Sequence, residues 1–463
     1  MTSLEQQFAQ HQQAFHADPY PSLALRRQRL TALMRALQQF EHALCEAVAS
    51  DFGQRSHDET RLLEIAPCRQ GLKYQLRHLK AWMRPKKRHV HYTFAPATNR
   101  VMPQPLGVVG IIVPWNYPIF LALSPLMTAL AAGNHALVKL SEFTPATNQV
   151  LRQLCQQACA DSVSIIEGDA KVAADFSALP FDHLLFTGST QVGRKVMQAA
   201  AANLTPVTLE LGGKSPVLIA PDANLARISD RLLFGKTANA GQTCVAPDYV
   251  LVPRAQLPEL ISLLKKGFKR FYPDFPNGSS YSAIVNQRQY QRLSHLLQEA
   301  KDAGATLISC SEAGNAEQRL LPLTLVVDAP LACQLWQEEI FGPVLPLLPY
   351  DDINEAIAFI RERPKPLALY LMSENSALIS QVLEQVHAGG VAINDTLLQV
   401  AQDDLPFGGV GPSGLGYYHG PEGFLRLSHL KAIHEKGRFS SSQFIYPPFD
   451  RPLFQALLRW LTR

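Results

Sequence analysis

Apolar residues recur at three-, four- and seven-residue offsets through the first eighty positions. They fall at Leu23, Leu30, Leu33, Leu37, Phe40 and Leu44, and again at Leu72, Leu76 and Leu79. That spacing predicts helices with one buried face. From residue 106 the texture changes to short continuous apolar runs, at 108–113, 136–140, 163–166, 183–186 and 206–211, separated by helical patterns. Such runs predict α/β architecture, a doubly wound parallel sheet covered on both faces. A second series follows the break Leu211-Gly212-Gly213-Lys214-Ser215-Pro216. It predicts strands at 217–219, 249–252, 306–309, 323–327, 368–372 and 391–394, with helices over 224–239, 256–271 and 288–302. Two doubly wound domains are therefore expected.

Two segments stand outside this alternation. The stretch 89–94, bounded by prolines, reads as a β ribbon that pairs outside its own domain. Beyond Leu405 the chain is loop-rich and closes on 451–463, where Leu453, Phe454, Leu457, Leu458 and Leu461 share one helical face. That helix is expected to dock on protein, in its own subunit or a partner. An interfacial membrane helix, which also sets apolar area against arginine, is the alternative.

Composition narrows the class. Of 463 residues 47% are hydrophobic and 18% charged, which excludes a disordered chain. The net charge of +4 reads as spread along the length, too weak a field to call for nucleic acid. The basic run Arg84-Pro85-Lys86-Lys87-Arg88 reads as a solvated turn. No apolar run is long enough to span a bilayer, and no signal peptide is visible at the first residues. Seven scattered cysteines fit free thiols in a reducing, cytoplasmic setting. Cys155 and Cys159 lack a second ligand pair at zinc spacing and read as helix-core residues, so no metal site is expected.

Four stretches carry chemistry. In 234–248 a passage of small residues ends at Cys244, where a substrate can approach the backbone and a thiolate would attack a carbonyl carbon; a buried structural cysteine is the alternative. Glu210 ends an apolar run and opens onto a Gly-Gly turn, which suits a general base, a cap or a salt bridge. In Val113-Pro114-Trp115-Asn116-Tyr117-Pro118 two prolines fix a strand-end loop and leave the Asn116 amide to serve an oxyanion or its own loop. Phe186-Thr187-Gly188-Ser189-Thr190 through Gly193 is a strand–glycine–helix start, a weak phosphate signal by spacing.

In this order the stretches resemble the aldehyde dehydrogenase superfamily. Pro114-Trp115-Asn116, Lys139-x-x-Glu142, Phe186-Thr187-Gly188-Ser189-Thr190, Glu210-Leu211-Gly212-Gly213-Lys214, Gly241-Gln242-Thr243-Cys244, Glu339-Ile340-Phe341-Gly342-Pro343 and Pro406-Phe407-Gly408-Gly409 carry the resemblance. The texture around Cys244 and after Pro406 is similar to the class 3 branch, bacterial coniferyl-aldehyde dehydrogenases above all. One departure is Lys139-Leu140-Ser141-Glu142, where many relatives have proline after the lysine.

The resemblance implies NAD(P)-dependent oxidation of an aldehyde, aromatic or medium-chain, through a thiohemiacetal and a thioester on Cys244. Asn116 and the Cys244 N–H would hold the oxyanion, and Glu210 would activate water. Trp115, Lys139, Glu142, Gly188, Ser189, Gly193, Glu339 and Phe341 would hold NAD, with NADP also accepted. It further implies an NAD-binding domain of residues 1–87 and 106–210 and a catalytic domain of 211–404. Residues 88–105 and 405–463 would form an oligomerisation ribbon and tail of a homodimer. A cysteine-dependent acyl hydrolase and a CoA-acylating dehydrogenase are the rival chemistries.

Overall fold

A computed structural model describes residues 3–312, 314–438 and 445–462. Helices Leu4–Ala17, Leu23–Phe52 and Ala66–Trp82 occupy the region where helical periodicity was expected. Their apolar faces pack on the first sheet and on helix Phe120–Ala132. Arg26 is fully buried, and its guanidinium donates to the carbonyls of Pro21, Ala131 and Ala132 at 2.7–3.1 Å. The bonds to Ala131 and Ala132 satisfy carbonyls at the C-terminus of helix Phe120–Ala132.

The first sheet runs Gly414–Leu415, Val207–Glu210, His183–Thr187, Val108–Ile112, His135–Lys139, Val163–Ile166. All its pairings are parallel except that of Gly414–Leu415. The chain fills one side of Val108–Ile112 first and the other side afterwards, so strand order reverses there. Ligands bind beyond the strand C-termini at such a reversal. Asn116, Lys139, Gly188 and Glu210 all lie at those C-terminal ends.

The second sheet runs Thr306–Ser309, Thr324–Val327, Val344–Tyr350, Tyr249–Pro253, Pro216–Ile219, Ala368–Met372, Gly390–Ile393. Only Thr306–Ser309 is antiparallel. Strand Val344–Tyr350 escaped the sequence reading because Pro346 and Pro349 sit inside it, and proline is normally confined to sheet edges. Here it is interior, held by the burial of Val344, Leu345 and Leu347.

The third sheet corrects two expectations. Residues 89–94 are not a strand: Tyr92–Phe94 is a single 3-10 turn. The ribbon is built from Lys86–Arg88, Thr98–Pro105 and Ser428–Glu435, all antiparallel. The basic run is thus an exposed edge strand paired with 99–101 rather than a turn, although it remains solvated. Pattern alone could not show this, because Ser428–Glu435 lies more than three hundred residues away in sequence.

Helix Pro452–Leu461 forms as expected, but the described residues leave it largely exposed. Leu453 is 64% and Trp460 55% exposed, and only Phe454 and Leu457 are half-buried. Trp460 meets Tyr92 edge-on, and Phe454 meets Phe449. Among the described residues no helix is long and apolar enough to cross a membrane.

Candidate active site

Helix Leu225–Thr237 delivers the chain to the cysteine. Three left-handed residues follow it: Asn239 (φ 48°), Ala240 (φ 50°) and Gly241 (φ 72°). For non-glycine residues this costs roughly 1–2 kcal/mol each, so surrounding bonds must impose it. The Asn239 amide donates to the Asn116 carbonyl, and its backbone N–H donates to Glu59. Gln242 donates to the carbonyls of Asn239 and Ala283 and accepts from the Val285 N–H. A Cβ on Gly241 would lie 2.5 Å from the Gly342 carbonyl oxygen. The loop carrying Glu339 and Phe341 therefore closes directly onto the cysteine loop.

Cys244 sits just past this turn, half-buried. Burial, then the carboxyls of Glu339 and Glu210, push its thiol up to about 12, against partial compensation from the Cys244 and Val245 backbone N–H groups. The resting residue is a neutral thiol. Glu210 is fully buried, and neither carboxyl oxygen has a hydrogen-bond partner. Its backbone is fixed by pairing with Gly414 and by the Gly188 N–H on its carbonyl, so the side chain alone is left for chemistry. Burial raises this carboxyl well above the ordinary range. A cap or a structural salt bridge would show partners, and it has none.

Asn116 is 3% exposed and donates one amide hydrogen to the Gln242 carbonyl at 3.1 Å. The carbonyl that accepts it lies two residues before the cysteine. Beneath it lies a buried ionic set with no visible sequence signal. Arg55 donates to the Asn116 carbonyl and pairs with Glu64, whose carboxylate accepts the N–H groups of Ile119 and Phe120. Tyr418 was also missed. Its fully buried phenol lies beside the Ser124 side chain, in the field of Glu210 and Cys244.

The expected dinucleotide residues gather along the same strand ends. Lys139, nearly buried, donates to the Gly168 carbonyl at 2.7 Å and stands 3.6 Å from Glu142. Gly188 begins the turn into helix Thr190–Ala201, and Ser189 caps that helix, its hydroxyl accepting the Val192 N–H. The Ser189 hydroxyl still has its own O–H to offer an anion. Gly193 lets the helix reach the sheet, since a Cβ there would lie 2.5 Å from Leu211. Trp115 and Phe341 meet edge-on with centroids 5.4 Å apart. Glu339 accepts from the Gly213 N–H and fits the notch left by Gly212, where a Cβ would come within 2.1 Å of its carboxylate. Burial and Asp248 raise Glu339 to about 8.

Residues 2–433 match the Aldehyde dehydrogenase family. The chain belongs to the aldehyde dehydrogenase family. Its relatives include class 3 members, and it is an NAD(P)-dependent aldehyde dehydrogenase. It is 48% identical to a probable coniferyl aldehyde dehydrogenase of Pseudomonas aeruginosa, across 100% of this chain and 97% of that one. A substrate-bound Staphylococcus aureus AldH structure superposes with a TM-score of 0.94 at 38% identity, covering both chains fully. A Mycobacterium tuberculosis aldehyde dehydrogenase complexed with NAD+ gives 0.83 at 26% identity, covering 93% of this chain and 89% of that one. In this dehydrogenase a Gly188 turn at the sheet's reversal, the Lys139–Glu142 pair and the Gly212 notch against Glu339 fit a dinucleotide.

Proposed function

We propose that this dehydrogenase oxidises an aromatic aldehyde of coniferyl type, or a medium-chain aliphatic one, to the carboxylic acid. The observation that carries the chemistry is Glu210: a buried carboxyl without a partner, beside the cysteine. Cys244 loses its proton to a base and attacks the aldehyde carbon, and the Asn116 amide and the Cys244 N–H hold the resulting oxyanion. Bound NAD supplies the hydride acceptor. Glu210 then takes a proton from the water that attacks the thioester, and the Cys244 thiolate leaves. Lys139 and Glu142 hold the adenosine ribose, and the backbone from Gly188 to Gly193 lies beside the pyrophosphate. Glu339 would hold the nicotinamide ribose, and Trp115 and Phe341, which meet edge-on, would help hold the cofactor.

A simple acyl hydrolase has no use for the ribose residues, and CoA acylation has no use for a base aimed at water. The substrate class rests on the 48% relative. Specificity constants across aromatic and medium-chain aldehydes test it. Cinnamyl-type or medium-chain aldehydes should lead the panel, and a preference for acetaldehyde or a semialdehyde would overturn the assignment.

Glu142 also sets cofactor preference, because its carboxylate accepts from a ribose diol and repels a 2′-phosphate. Glu142→Gln should raise NADP use relative to NAD, measured as the ratio of the two specificity constants. An unchanged ratio would refute the charge argument.

We further propose a cytoplasmic homodimer, divided near the expected domain boundaries, with Lys86–Arg88 in the ribbon and Gly414–Leu415 returning to the first sheet. All seven cysteines are free thiols, which suits a reducing compartment. Charge is not spread evenly along the chain. Residues 84–105 and 428–463 carry eleven lysines and arginines against only Glu435 and Asp450, which leaves the remainder acidic. The basic ribbon and uncovered terminal helix of one copy thus complement the acidic body of a second. Light scattering should give a dimer that dissociates when 451–463 is deleted. A monomer that floats with anionic liposomes would instead favour membrane contact.

A further inference from the structure

Tyr370 stands at the middle of the apolar strand Ala368–Met372, fully buried. A phenylalanine would fill that place with no polar atom to satisfy, so the hydroxyl calls for its own account. Its hydrogen-bonding capacity is fully used, for it donates once and accepts twice. It donates to the Val245 carbonyl, one residue past Cys244. It accepts the Leu397 N–H at 3.3 Å and the Gln399 side-chain amide at 3.0 Å.

Each partner belongs to a segment that needs holding. Cys244 and Val245 are the central residues of a turn closed by the Ala246 N–H on the Thr243 carbonyl at 3.0 Å. Tyr117 grips the start of that turn, its hydroxyl 2.8 Å from that of Thr243, and Tyr370 grips the other end. The turn sets where the Cys244 and Val245 N–H groups point, and both favour the thiolate. On the far side of the tyrosine, Leu397 (φ 68°, ψ −46°) centres a γ-turn closed by the Leu398 N–H on the Thr396 carbonyl at 2.7 Å. That conformation is strained for leucine and has to be imposed. The Thr396 hydroxyl donates to the Arg231 carbonyl, and the Arg231 side chain donates to the Asn394 carbonyl. The brace behind Tyr370 is thus anchored on helix Leu225–Thr237, which leads into the cysteine turn.

We propose that Tyr370 is a positioning residue: through the Val245 carbonyl its hydroxyl fixes the turn that aims Cys244 and its backbone N–H at the aldehyde. This rests on the reading of Cys244 as the nucleophile. Without the hydroxyl the peptide after Val245 can rotate, and the N–H groups of the turn move out of line with sulfur and oxyanion.

The test is Tyr370→Phe, read by single-turnover hydride transfer and by iodoacetamide alkylation of Cys244. Hydride transfer should slow on the order of tenfold, while the aldehyde KM and the NAD dissociation constant stay within about twofold of wild type. Alkylation at about pH 9 should slow about fivefold, because the N–H groups of the turn support the thiolate less well. Gln399→Leu keeps the tyrosine but removes one of the two donors that steady its hydroxyl. It should slow hydride transfer about threefold with NAD affinity unchanged, and it decides the matter if the phenylalanine variant folds poorly. Variants that melt earlier yet keep wild-type hydride transfer and alkylation would make Tyr370 a packing residue. NAD affinity lost in step with hydride transfer would mean general loosening and would also overturn the proposal. If alkylation of Cys244 in the wild type leaves turnover intact, the nucleophile reading itself falls, and this inference falls with it.

Discussion

Glu210→Gln should convert the enzyme from a steady catalyst into one that turns over once and stalls. The amide keeps the volume of the side chain but cannot take a proton from the hydrolytic water, a loss typically worth about 10²–10⁴ in rate. Reduced nicotinamide should appear in a burst of up to one per active site, followed by a slow phase. Hydroxylamine attacks a thioester without a base and should partly restore the slow phase. The pH dependence follows from the environment. Burial raises the Glu210 carboxyl, so its basic form accumulates only as pH climbs through that raised value. Wild-type steady turnover should therefore rise toward alkaline pH, and the glutamine variant's slow phase should lack that rise. Loss of the burst as well would mean that Glu210 acts earlier, in taking the proton from Cys244. Near-normal turnover would mean that another residue activates water.

Cys244→Ser should remove turnover altogether, on the order of 10³-fold or more, while NAD affinity stays within about twofold. A hydroxyl lacks the acidity and nucleophilicity of a thiol, and this site gives little help with ionisation. Its burial and the carboxyls of Glu339 and Glu210 hold even the thiol near 12. Deprotonation must therefore accompany attack, or follow a change in those carboxyls when ligands bind. Alkylation of wild-type Cys244 by iodoacetamide should accelerate steeply with pH across the alkaline range. A serine variant that kept substantial dehydrogenase activity would remove Cys244 from the mechanism.

Strands buried on both faces were legible because they read as unbroken apolar runs. Helices such as Leu257–Phe271 and Gln287–Asp302 showed in their periodicity. The proline-bearing strand Val344–Tyr350 and the ribbon completed by Ser428–Glu435 were not legible. Both depend on partners that local pattern does not contain.

The site divided in the same way. Cys244, Glu210 and Asn116 stand at strand ends or beside glycine turns, where an acid, thiol or amide is conspicuous. The sequence singled out none of Arg55, Glu64, Lys236 and Tyr418: Arg55 and Tyr418 stand in loops, Glu64 and Lys236 within helical segments. What sets them apart is burial, paired in the case of Arg55 and Glu64 and without a hydrogen bond for the Lys236 ammonium, which no spacing rule reports. The terminal helix was predicted as a helix and is one, yet the described residues leave most of its apolar face exposed.

The most direct test of the cysteine–glutamate oxidation is product stoichiometry with purified enzyme, NAD and a cinnamyl-type aldehyde. Reduced nicotinamide and carboxylic acid should form one for one, without added CoA. Acid formed from an ester without reduced nicotinamide, or product formed only when CoA is supplied, would contradict it.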